Sequence, residues 1–526
     1  MTDIASGSAR PVLIVGAGPA GLTAAIELTR RGVPIRCVDR AAGPSTLSKA
    51  LGLWPRTLEL FRRIGGDEII AERALPQSRM RYYSSGKVIA NLRYSPVTQP
   101  VICPQPDAEL LLRNAFAAVG GRIDWDTELL GLEQDSDGVH VALRSPQGVE
   151  QQDFAYVIGA DGASSKVRGE LGIGFSGSTY ELQFVVADVM MDSALEHDMT
   201  HYFCSPKGIL VTCGLPSGRV RVFTSAPPGL AREDVDLAAV QALVDERGPG
   251  GLALRDPEWI SLFAVHARHA DRTRVDRVFL VGDAAHIHSP AGGQGLNTGV
   301  TDAHNLAWKL ALVWRGQATA ALVDTYETER GQVAHAVVRQ AHAQTRIWLL
   351  RKGYQVALRD LTLRLASALR LFDIAYVPWL AGLRTTYAAP QRSKRALDGF
   401  KPGALVPATP VFDTATGHTL PLRAALTDLR YTLLVSGGLD EVRPLLDWAA
   451  ACADVLDVKV LDRRAGTLSA PAEQRGRGVV VLVRPDGHVD LRVKSRDSAQ
   501  VRARVEQLFQ PFLHAKAPAA DSVAVH

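Results

Sequence analysis

The stretch VLIVGAGPAGLTAAIELTRRGVPIRCVD, residues 12–39, decides the fold of this chain. Its apolar start, Val12 to Val15, has the length and branching of a buried strand. Leu22 to Arg31 predicts a helix, Val33 to Val38 predicts a second strand, and Asp39 closes the unit. Between the first strand and the helix stand three glycines in the spacing G-x-G-x-x-G, namely Gly16, Gly18 and Gly21.

Each of these residues has a physical role. Gly16 permits the tight turn from strand to helix, Gly18 leaves its backbone open to a pyrophosphate, and Gly21 lets the helix pack against the strand. The helix start offers unpaired N–H groups and the positive end of a dipole. Asp39 stands where a carboxylate accepts hydrogen bonds from a ribose diol. Together they favour a dinucleotide-binding unit over a purely structural turn, without separating FAD from NAD.

The composition sets the broad class of the protein. At 526 residues the chain is too long for one core, so two or three domains are expected. A formal charge of +4 argues neither for nucleic acid nor for an anionic membrane surface as a partner. No apolar run is long enough to span a bilayer. The five cysteines form no C-x-x-C pair, so we expect a reducing, cytoplasmic location and no metal site.

Two further junctions between a strand and a helix follow. Phe154 to Gly159 predicts a strand, and Asp161–Gly162 begins the turn after it; the alternative role of the aspartate is to cap the next helix. Val278 to Val281 predicts another strand, with Asp283 at its carboxyl end, where ligands bind in open α/β sheets. A glycine-rich loop then leads into a helix from about Leu296 to Trp314.

Between these junctions, residues 178–258 alternate short strands with turns and predict an antiparallel sheet. Arg219 and Arg221 alternate with valines and should share one face of a strand. If that face lines a cavity, the two arginines meet an acidic or phenolate substrate; if it faces water, they are only solvated. His201 and Tyr202 are further candidates to line the substrate site.

Two residues outside the junctions are candidates for the cofactor site. Lys49 lies in a loop that returns toward the glycine turn, where it either meets a phosphate or is solvated. Gln105 stands just before a helix predicted from about Asp107 to Ala118, and is either a ligand contact or an ordinary loop glutamine.

Three motifs, in this order and spacing, resemble the group A flavoprotein aromatic monooxygenases of the para-hydroxybenzoate hydroxylase fold, in the phenol hydroxylase and aromatic polyketide hydroxylase branch. The motifs are GAGPAG with Asp39, GADGASSKVR, and GDAAHIHSPAGGQGLNTGVTDAHNLAWKL. The resemblance implies an α/β fold with a Rossmann-like FAD-binding domain, an inserted antiparallel β-sheet substrate domain and a C-terminal thioredoxin-like domain. Because the last domain lacks a C-x-x-C pair, no redox role is implied for it.

The implied domains have definite bounds. They are residues 1–177 for the first part of the FAD-binding domain, with 73–100 contributing to the substrate domain; 178–258 for the substrate domain; 259–387 for the second FAD-binding part and a helical segment; 388–410 for a linker; and 411–526 for the thioredoxin-like domain.

The resemblance also implies roles for individual residues. The turn from Gly16 to Gly21, with Pro19 and Ala20, would hold the FAD pyrophosphate, and Asp39 the adenosine ribose. The family more often has glutamate at this acid and arginine where Lys49 stands. The remaining implied FAD contacts, of which Pro290 and residues 295–297 face the isoalloxazine, are Arg40, Lys49, Gln105, Asp161, Gly162, Asp283, Pro290, Gly295, Leu296 and Asn297.

The implied reaction follows from the cofactor. NADPH or NADH reduces FAD, O₂ gives a flavin C4a-hydroperoxide, and a phenolic or polyketide ring is hydroxylated. Baeyer–Villiger insertion and epoxidation remain open on the same scaffold. A flavin-dependent halogenase is disfavoured because no Trp-x-Trp-x-Ile-Pro motif occurs, and a non-catalytic flavin-binding protein is the other alternative. The expected partners are a small aromatic substrate and O₂, with the chain a monomer or a homodimer.

Overall fold

The structure is a computed structural model that describes residues 10–388, 399–462, 466–469 and 478–516. The described residues form two compact units. Unit 1 contains residues 10–26, 34–303 and 331–383, and unit 2 contains residues 27–33, 304–330 and the described residues from 384 onward. Within the described residues, no helix combines the length and the apolar character that crossing a bilayer requires.

The first part of the chain contains twenty strands among the described residues, of which β13 and β17 have 18 residues each. Its strands are β1 (Val12–Val15), β2 (Ile35–Val38), β3 (Gly52–Leu53), β4 (Leu75–Pro76), β5 (Arg79–Ser84), β6 (Lys87–Arg93), β7 (Val101–Ile102), β8 (Ile123–Asp124), β9 (Glu128–Gln134), β10 (Val139–Ser145), β11 (Gly148–Phe154), β12 (Tyr156–Gly159), β13 (Phe175–Asp192), β14 (Met199–Ser205), β15 (Gly208–Gly214), β16 (Val220–Ser225), β17 (Ala253–Ala270), β18 (Arg274–Val275), β19 (Val278–Leu280) and β20 (His286–Ile287). The strands of unit 2 are β21 (Pro410–Asp413), β22 (His418–Pro421), β23 (Tyr431–Ser436), β24 (Leu456–Asp462), β25 (Thr467–Ser469), β26 (Val479–Val483) and β27 (Val489–Lys494).

The helices complete the element order. They are α1 (Pro19–Arg30), α2 (Pro55–Arg63), α3 (Asp67–Arg73), α4 (Gln105–Ala118), α5 (Lys166–Glu170), α6 (Leu237–Arg247), α7 (Gly295–Trp314), α8 (Ala321–Trp348), α9 (Gly353–Ala368), α10 (Val377–Leu380), α11 (Leu422–Ala425), α12 (Leu439–Ala450) and α13 (Ala499–Lys516).

A six-stranded sheet in the order β18-β19-β12-β1-β2-β8 forms the base of unit 1. All of its neighbouring strands are parallel except β18 and β19. Val15 pairs with both Gly159 and Val38, and Gly159 pairs with Leu280, so four strands end at one edge. The mixed α/β fold with a nucleotide-binding type of sheet is therefore confirmed.

An eight-stranded sheet in the order β20-β17-β13-β16-β15-β14-β5-β6 is the largest sheet of unit 1, which also contains the three-stranded sheets β11-β10-β9 and β3-β7-β4. Neighbouring strands are antiparallel except β14 and β5. One face packs on α6, and the other, which we call the aromatic face, carries Tyr82, Tyr202, Phe223 and Phe263. The sheet includes β5 and β6 and extends from Phe175 to Ala270, beyond the 178–258 bounds predicted for the substrate domain, because β13 and β17 pair along most of their length.

Several element boundaries in the structure differ from those predicted from the sequence; β2, for example, begins at Ile35 rather than Val33. α1 begins at Pro19 rather than Leu22, and α4 begins at Gln105 rather than Asp107. In both helices a proline occupies the first turn, where its missing N–H costs nothing. Phe154 ends the hairpin strand β11, and the buried parallel strand β12 begins only at Tyr156.

Unit 2 is built on a seven-stranded sheet in the order β22-β21-β25-β24-β23-β26-β27. β23 and β24 are parallel and joined by α12, whereas β26 and β27 are antiparallel. Part of the predicted linker, residues 389–398, lies outside the described residues. Its later part packs into unit 2, since Phe400 and Val406 are buried in the core and Leu405 pairs with His488.

A group of buried charges lies inside unit 2, and we call it the buried ion cluster: Lys309, Glu329, Arg484 and Asp486. Arg484 donates to Glu329 through both terminal nitrogens, at 2.6 and 2.8 Å, and also to Asp486. The Lys309 Nζ donates to Glu329 at 2.8 Å. Burial alone would raise the pKa of Glu329, but Arg484 and Lys309 outweigh it and lower that pKa to about 2.

We predict that Arg484→Met lowers the free energy of unfolding by about 3–5 kcal/mol at neutral pH, because two buried carboxylates lose their main partner. The contribution of Glu329 is present above its unfolded pKa of 4.5 and is lost as the pH falls toward 2. In the variant only Lys309 is left to offset burial, so the pKa of Glu329 rises. The difference in the free energy of unfolding between wild type and variant should therefore become smaller as the pH falls.

Urea denaturation at neutral and mildly acidic pH measures both effects. Arg502→Met, which removes an exposed pair with Glu506, is the matched control and should cost less than about 1 kcal/mol. Equal losses in the two variants would contradict the role assigned to the cluster.

Candidate functional site

The carboxyl edge of the six-stranded sheet brings four sequence-predicted residues together. Gly16 follows β1, Asp39 follows β2, Asp161 lies just beyond β12, and Asp283 lies just beyond β19. The register of the parallel strands aligns these four ends. This is the edge at which open α/β sheets bind nucleotides.

The first turn has the geometry that a pyrophosphate requires. Gly16 has a φ of +106°, and a Cβ on it would lie 2.4 Å from the carbonyl oxygen of Ala160. A Cβ on Gly21 would lie 1.9 Å from the carbonyl oxygen of Gly16, so α1 packs against the turn only without a side chain there. No atom lies within 4 Å of a Cβ on Gly18, so space is open beside that backbone. Pro19 and Ala20 then open α1, whose first N–H groups point at this space.

Asp39 fixes the turn through its carboxylate. The Ala17 N–H donates to Oδ2 at 2.7 Å, and the Ala41 N–H donates to Oδ1 at 2.9 Å. The side chain is half-buried, and each oxygen retains a lone pair for a ribose hydroxyl. Its neighbour Arg40 is exposed. The ribose and adenine roles of these two residues stay predictions.

Asp161 acts as a cap in the structure, which was the alternative weighed from the sequence. Its Oδ2 accepts from the backbone N–H groups of Lys166 and Val167 at 2.7 and 3.1 Å, at the start of α5. Its Oδ1 accepts from the Ser165 hydroxyl at 2.5 Å. Gly162 beside it has a φ of +79° and open space around it. A direct cofactor contact by either residue stays a prediction.

Asp283 lies in a short 3₁₀ turn, Gly282–Ala284, directly after β19. Its side chain is solvent-accessible, yet protein atoms crowd the carboxyl group, and this partial burial raises its pKa. His286 and Lys49 act in the opposite direction and lower this pKa. An accessible carboxylate at this edge can accept hydrogen bonds from hydroxyl groups of a polar ligand.

The loop before α7 is held in place by its own set of hydrogen bonds. The Trp54 backbone N–H donates to the Asn297 Oδ1 at 2.9 Å, and the Trp54 Nε1 donates to the Gly292 carbonyl at 3.0 Å. The Asn297 Nδ2 donates to the carbonyls of Gly52 and Gly293 at 2.8 Å. Asn297 therefore positions the loop through its side chain and has only its backbone N–H to offer a ligand.

The start of α7 is nevertheless accessible. Gly295 and Leu296 are half-buried, and Pro290 is exposed at the loop tip. Burial lowers the pKa of His288, beside Gly295, to about 4, so this imidazole is neutral at physiological pH. The positive end of the α7 dipole is thus the main positive feature that the loop offers to a ligand.

Gln105 joins α4 to the loop that carries Lys49. Its Oε1 accepts from the Ala50 N–H at 3.2 Å, and its Nε2 donates to the Glu109 Oε1 at 2.9 Å. Lys49 itself is exposed. The structure therefore gives Gln105 a positioning role, and ligand contacts by both residues stay predictions.

The two candidate substrate residues of β14, His201 and Tyr202, do not face the same site. His201 and Tyr202 are neighbours in β14 and therefore point to opposite faces of the sheet. Tyr202 belongs to the aromatic face, where its ring stacks on Tyr82 at 4.6 Å. His201 points to the other side, where its Nδ1 meets the Tyr83 hydroxyl at 3.1 Å and it lines a cavity of about 160 Å³.

Both candidate arginines already meet carboxylates of this chain. Arg221 is buried and donates to Asp188 from Nε at 2.7 Å and from Nη2 at 2.6 Å. Arg219 pairs with Asp256 at 2.8 Å and with Glu258 at 3.4 Å. Any acidic or phenolate substrate would compete with these carboxylates, so recognition by either arginine stays a prediction.

Two residues that position the site were not singled out from the sequence. Trp54 fastens the loop before α7, as described above. Asp302 is fully buried in α7, where its Oδ2 accepts from the Gly282 N–H at 3.2 Å and meets the His286 Nε2 at 2.7 Å. The sequence does contain a signal for Asp302, because a carboxylate within a buried apolar helix requires a hydrogen-bonding or charged partner.

Known proteins are similar to this chain, in sequence and in fold, over most of its length. A family model described as FAD binding domain matches residues 9–341. The chain is 33% identical to 6-methylpretetramide 4-monooxygenase of Streptomyces rimosus, over 94% of this chain and 93% of that protein. The flavin-dependent monooxygenase PieE in complex with FAD and substrate superimposes with a TM-score of 0.80 and 26% identity, over 96% of this chain and 100% of that one. The ternary complex of aklavinone-11 hydroxylase with FAD and aklavinone gives a TM-score of 0.75 and 28% identity, over 95% and 99%.

The glycine turn yields a matched pair of variants. We predict that Gly18→Ala leaves the melting temperature within about 2 °C of wild type, because a Cβ there meets no atom. It should weaken FAD binding at least about tenfold, because the methyl group would occupy the approach to the pyrophosphate.

Gly21→Ala is the contrasting variant. Its Cβ collides with the Gly16 carbonyl, so we expect a loss of at least about 5 °C in melting temperature. Thermal unfolding and a flavin fluorescence titration measure the two quantities. Unweakened FAD binding by Gly18→Ala would show that the phosphates do not lie at this turn.

Proposed function

Because the chain belongs to the FAD-binding-domain family and is an FAD-dependent aromatic monooxygenase of group A, we propose that it hydroxylates a phenolic ring within a fused-ring polyketide, using NAD(P)H and O₂. The observation that carries this proposal is the aromatic face of the eight-stranded sheet. Tyr82, Tyr202 and Trp348 pack there together with Ala291 of the loop before α7. These side chains are buried against one another, and a planar, largely apolar ring system is the kind of ligand that packs on them. Two relatives are named for anhydrotetracycline.

The residues at the sheet edge fit FAD. Gly16, Gly18 and Gly21 would hold the pyrophosphate at the start of α1, and Asp39 would accept from the adenosine ribose. Asp283 would accept from the ribityl chain. When bound, FAD supplies electron transfer from NAD(P)H to O₂ and the oxygen transfer to the ring. The protein binds, orients and desolvates the reactants around it.

The start of α7 would provide a positive electrostatic environment for the flavin ring. The N-terminal N–H groups of α7, at Gly295 to Asn297, would stabilise negative charge on the reduced flavin ring. The neutral imidazole of His288 adds no competing charge. On the aromatic face, burial raises the pKa of Tyr202 far above its ordinary value, so its hydroxyl keeps its proton and the surface stays uncharged.

The finer domain assignment belongs to the same proposal. In unit 2, β23-α12-β24 is a parallel unit and the antiparallel β26 and β27 precede α13, an arrangement that supports a thioredoxin-like domain. Only one cysteine lies in it, Cys452, and it is buried, so the proposed role is structural rather than redox. All five free cysteines are buried, which accords with a cytoplasmic enzyme.

Turnover with a substrate panel tests the proposal. FAD-loaded protein is mixed with NADPH or NADH and with simple phenols, anthraquinones and tetracyclic polyketides. We expect one polycyclic phenol to raise NAD(P)H oxidation and O₂ uptake at least about tenfold. The product should gain one oxygen as a new aromatic hydroxyl, as shown by mass and NMR.

The outcomes separate the alternatives. A lactone of the same mass would instead indicate Baeyer–Villiger insertion, and a chlorinated product in chloride buffer would indicate a halogenase. Tightly bound FAD without substrate-stimulated NAD(P)H oxidation anywhere in the panel would contradict the proposed hydroxylation.

A further inference from the structure

One helix of unit 1 exposes an apolar surface that no described residue covers. Tyr354, Leu358, Leu361 and Leu365 of α9, with Leu369 just after it, form what we call the α9 stripe. Each of these side chains is between 54% and 69% exposed. Leu371 and Ile374 continue the stripe and are also exposed.

The opposite side of α9 is held firmly. The Asn91 backbone N–H of β6 donates to the Ser367 hydroxyl at 3.0 Å, and the buried Arg359 donates to the Ser84 hydroxyl at 3.0 Å. Leu363 packs into the core beneath the aromatic face. The stripe is therefore presented by an anchored helix, and its exposure does not come from a loosely attached segment.

The size of the stripe indicates an interface. With side-chain areas of roughly 200 Å² each, its residues together with Leu371 and Ile374 expose roughly 800 Å² of mainly apolar surface. That area exceeds the largest apolar patch of an ordinary monomer and equals what one partner contributes to a standard interface.

The spacing of the stripe identifies the partner. We propose that the α9 stripe pairs with the same stripe of a second copy of this chain, with the two helices antiparallel about a two-fold axis near Leu361. Its residues recur at intervals of four and three, the seam along which one helix packs on another. A two-fold axis between Leu361 and Thr362 sets Tyr354 opposite Leu369 of the other copy and Leu358 opposite Leu365. The two Leu361 side chains then flank the axis, so the stripe nearly repeats itself when read in reverse. Such self-complementarity is what a two-fold interface requires.

Charge and size are compatible with this pairing. Arg351 and Lys352 precede α9, so in the antiparallel pair they lie beside the carboxyl end of the other α9. The helix dipole is negative there, and Asp373 pairs with Arg370 at 3.4 Å. Ala357 and Ala368, both exposed next to the stripe, permit close approach of the two backbones. A helix that lies on a membrane has a broader apolar face, whereas Thr362 and Arg364 bound this one.

Sedimentation velocity tests the dimer. The FAD-loaded wild type should sediment as a dimer at concentrations up to about 100 µM, and the double variant Leu358→Glu/Leu365→Glu as a monomer. Val149→Glu, which places the same charge at an exposed apolar residue of β11, is the matched control and should remain dimeric. Flavin absorbance and the melting temperature show that all three proteins are folded. A monomeric wild type, or a dimeric double variant, would overturn the proposal.

Cysteine cross-linking tests the orientation, since all native cysteines are buried. Leu361→Cys should form a disulfide-linked dimer by itself, whereas Tyr354→Cys should do so only when mixed with Leu369→Cys. Tyr354→Cys that cross-links with itself would overturn the antiparallel arrangement. Sedimentation of a monomeric wild type with phosphatidylcholine–phosphatidylglycerol vesicles, lost in the double variant, would assign the stripe to a membrane surface instead.

Discussion

The absence of two side chains brings the first strand, the first helix and the next parallel strand together. A Cβ on Gly21 would lie 1.9 Å from the carbonyl oxygen of Gly16, and a Cβ on Gly16 would lie 2.4 Å from that of Ala160. With bare backbone at both positions, α1 starts close to β1, and β12 ends beside them. The aligned ends of β2 and β19 add Asp39 and the Asp283 turn to the same edge. The shape of the nucleotide site thus depends first on a steric constraint, the lack of side chains at Gly16 and Gly21, and only second on charged groups.

Three carboxylates near this edge accept hydrogen bonds from backbone N–H groups: Asp39 and Asp302 at glycine turns, and Asp161 at the start of α5. Arg221 is neutralised by Asp188, and the Trp259 Nε1 donates to the same carboxylate at 2.8 Å. What remains beside the loop before α7 is an uncharged aromatic face. The main positive feature beside that face is the start of α7.

Much of the fold could be predicted because its signals are local. The glycine spacing, the buried strands and the acids at their ends all lie within short stretches of sequence. The use of each polar side chain could not be predicted, since it depends on partners far away in the chain. Arg221 reads as a substrate contact until Asp188, on the neighbouring strand, is seen to bind it. Trp54 could not be assigned a role from the sequence, because its partner Asn297 lies 243 positions later.

The most direct test of the central claim is a gel-filtration experiment on the purified protein after addition of FAD. We predict that folded protein elutes with stoichiometric flavin, with the altered absorbance and fluorescence of a ring held against protein. A folded protein that elutes without flavin would contradict it, because the bare-backbone turn and the aligned strand ends would then serve another ligand.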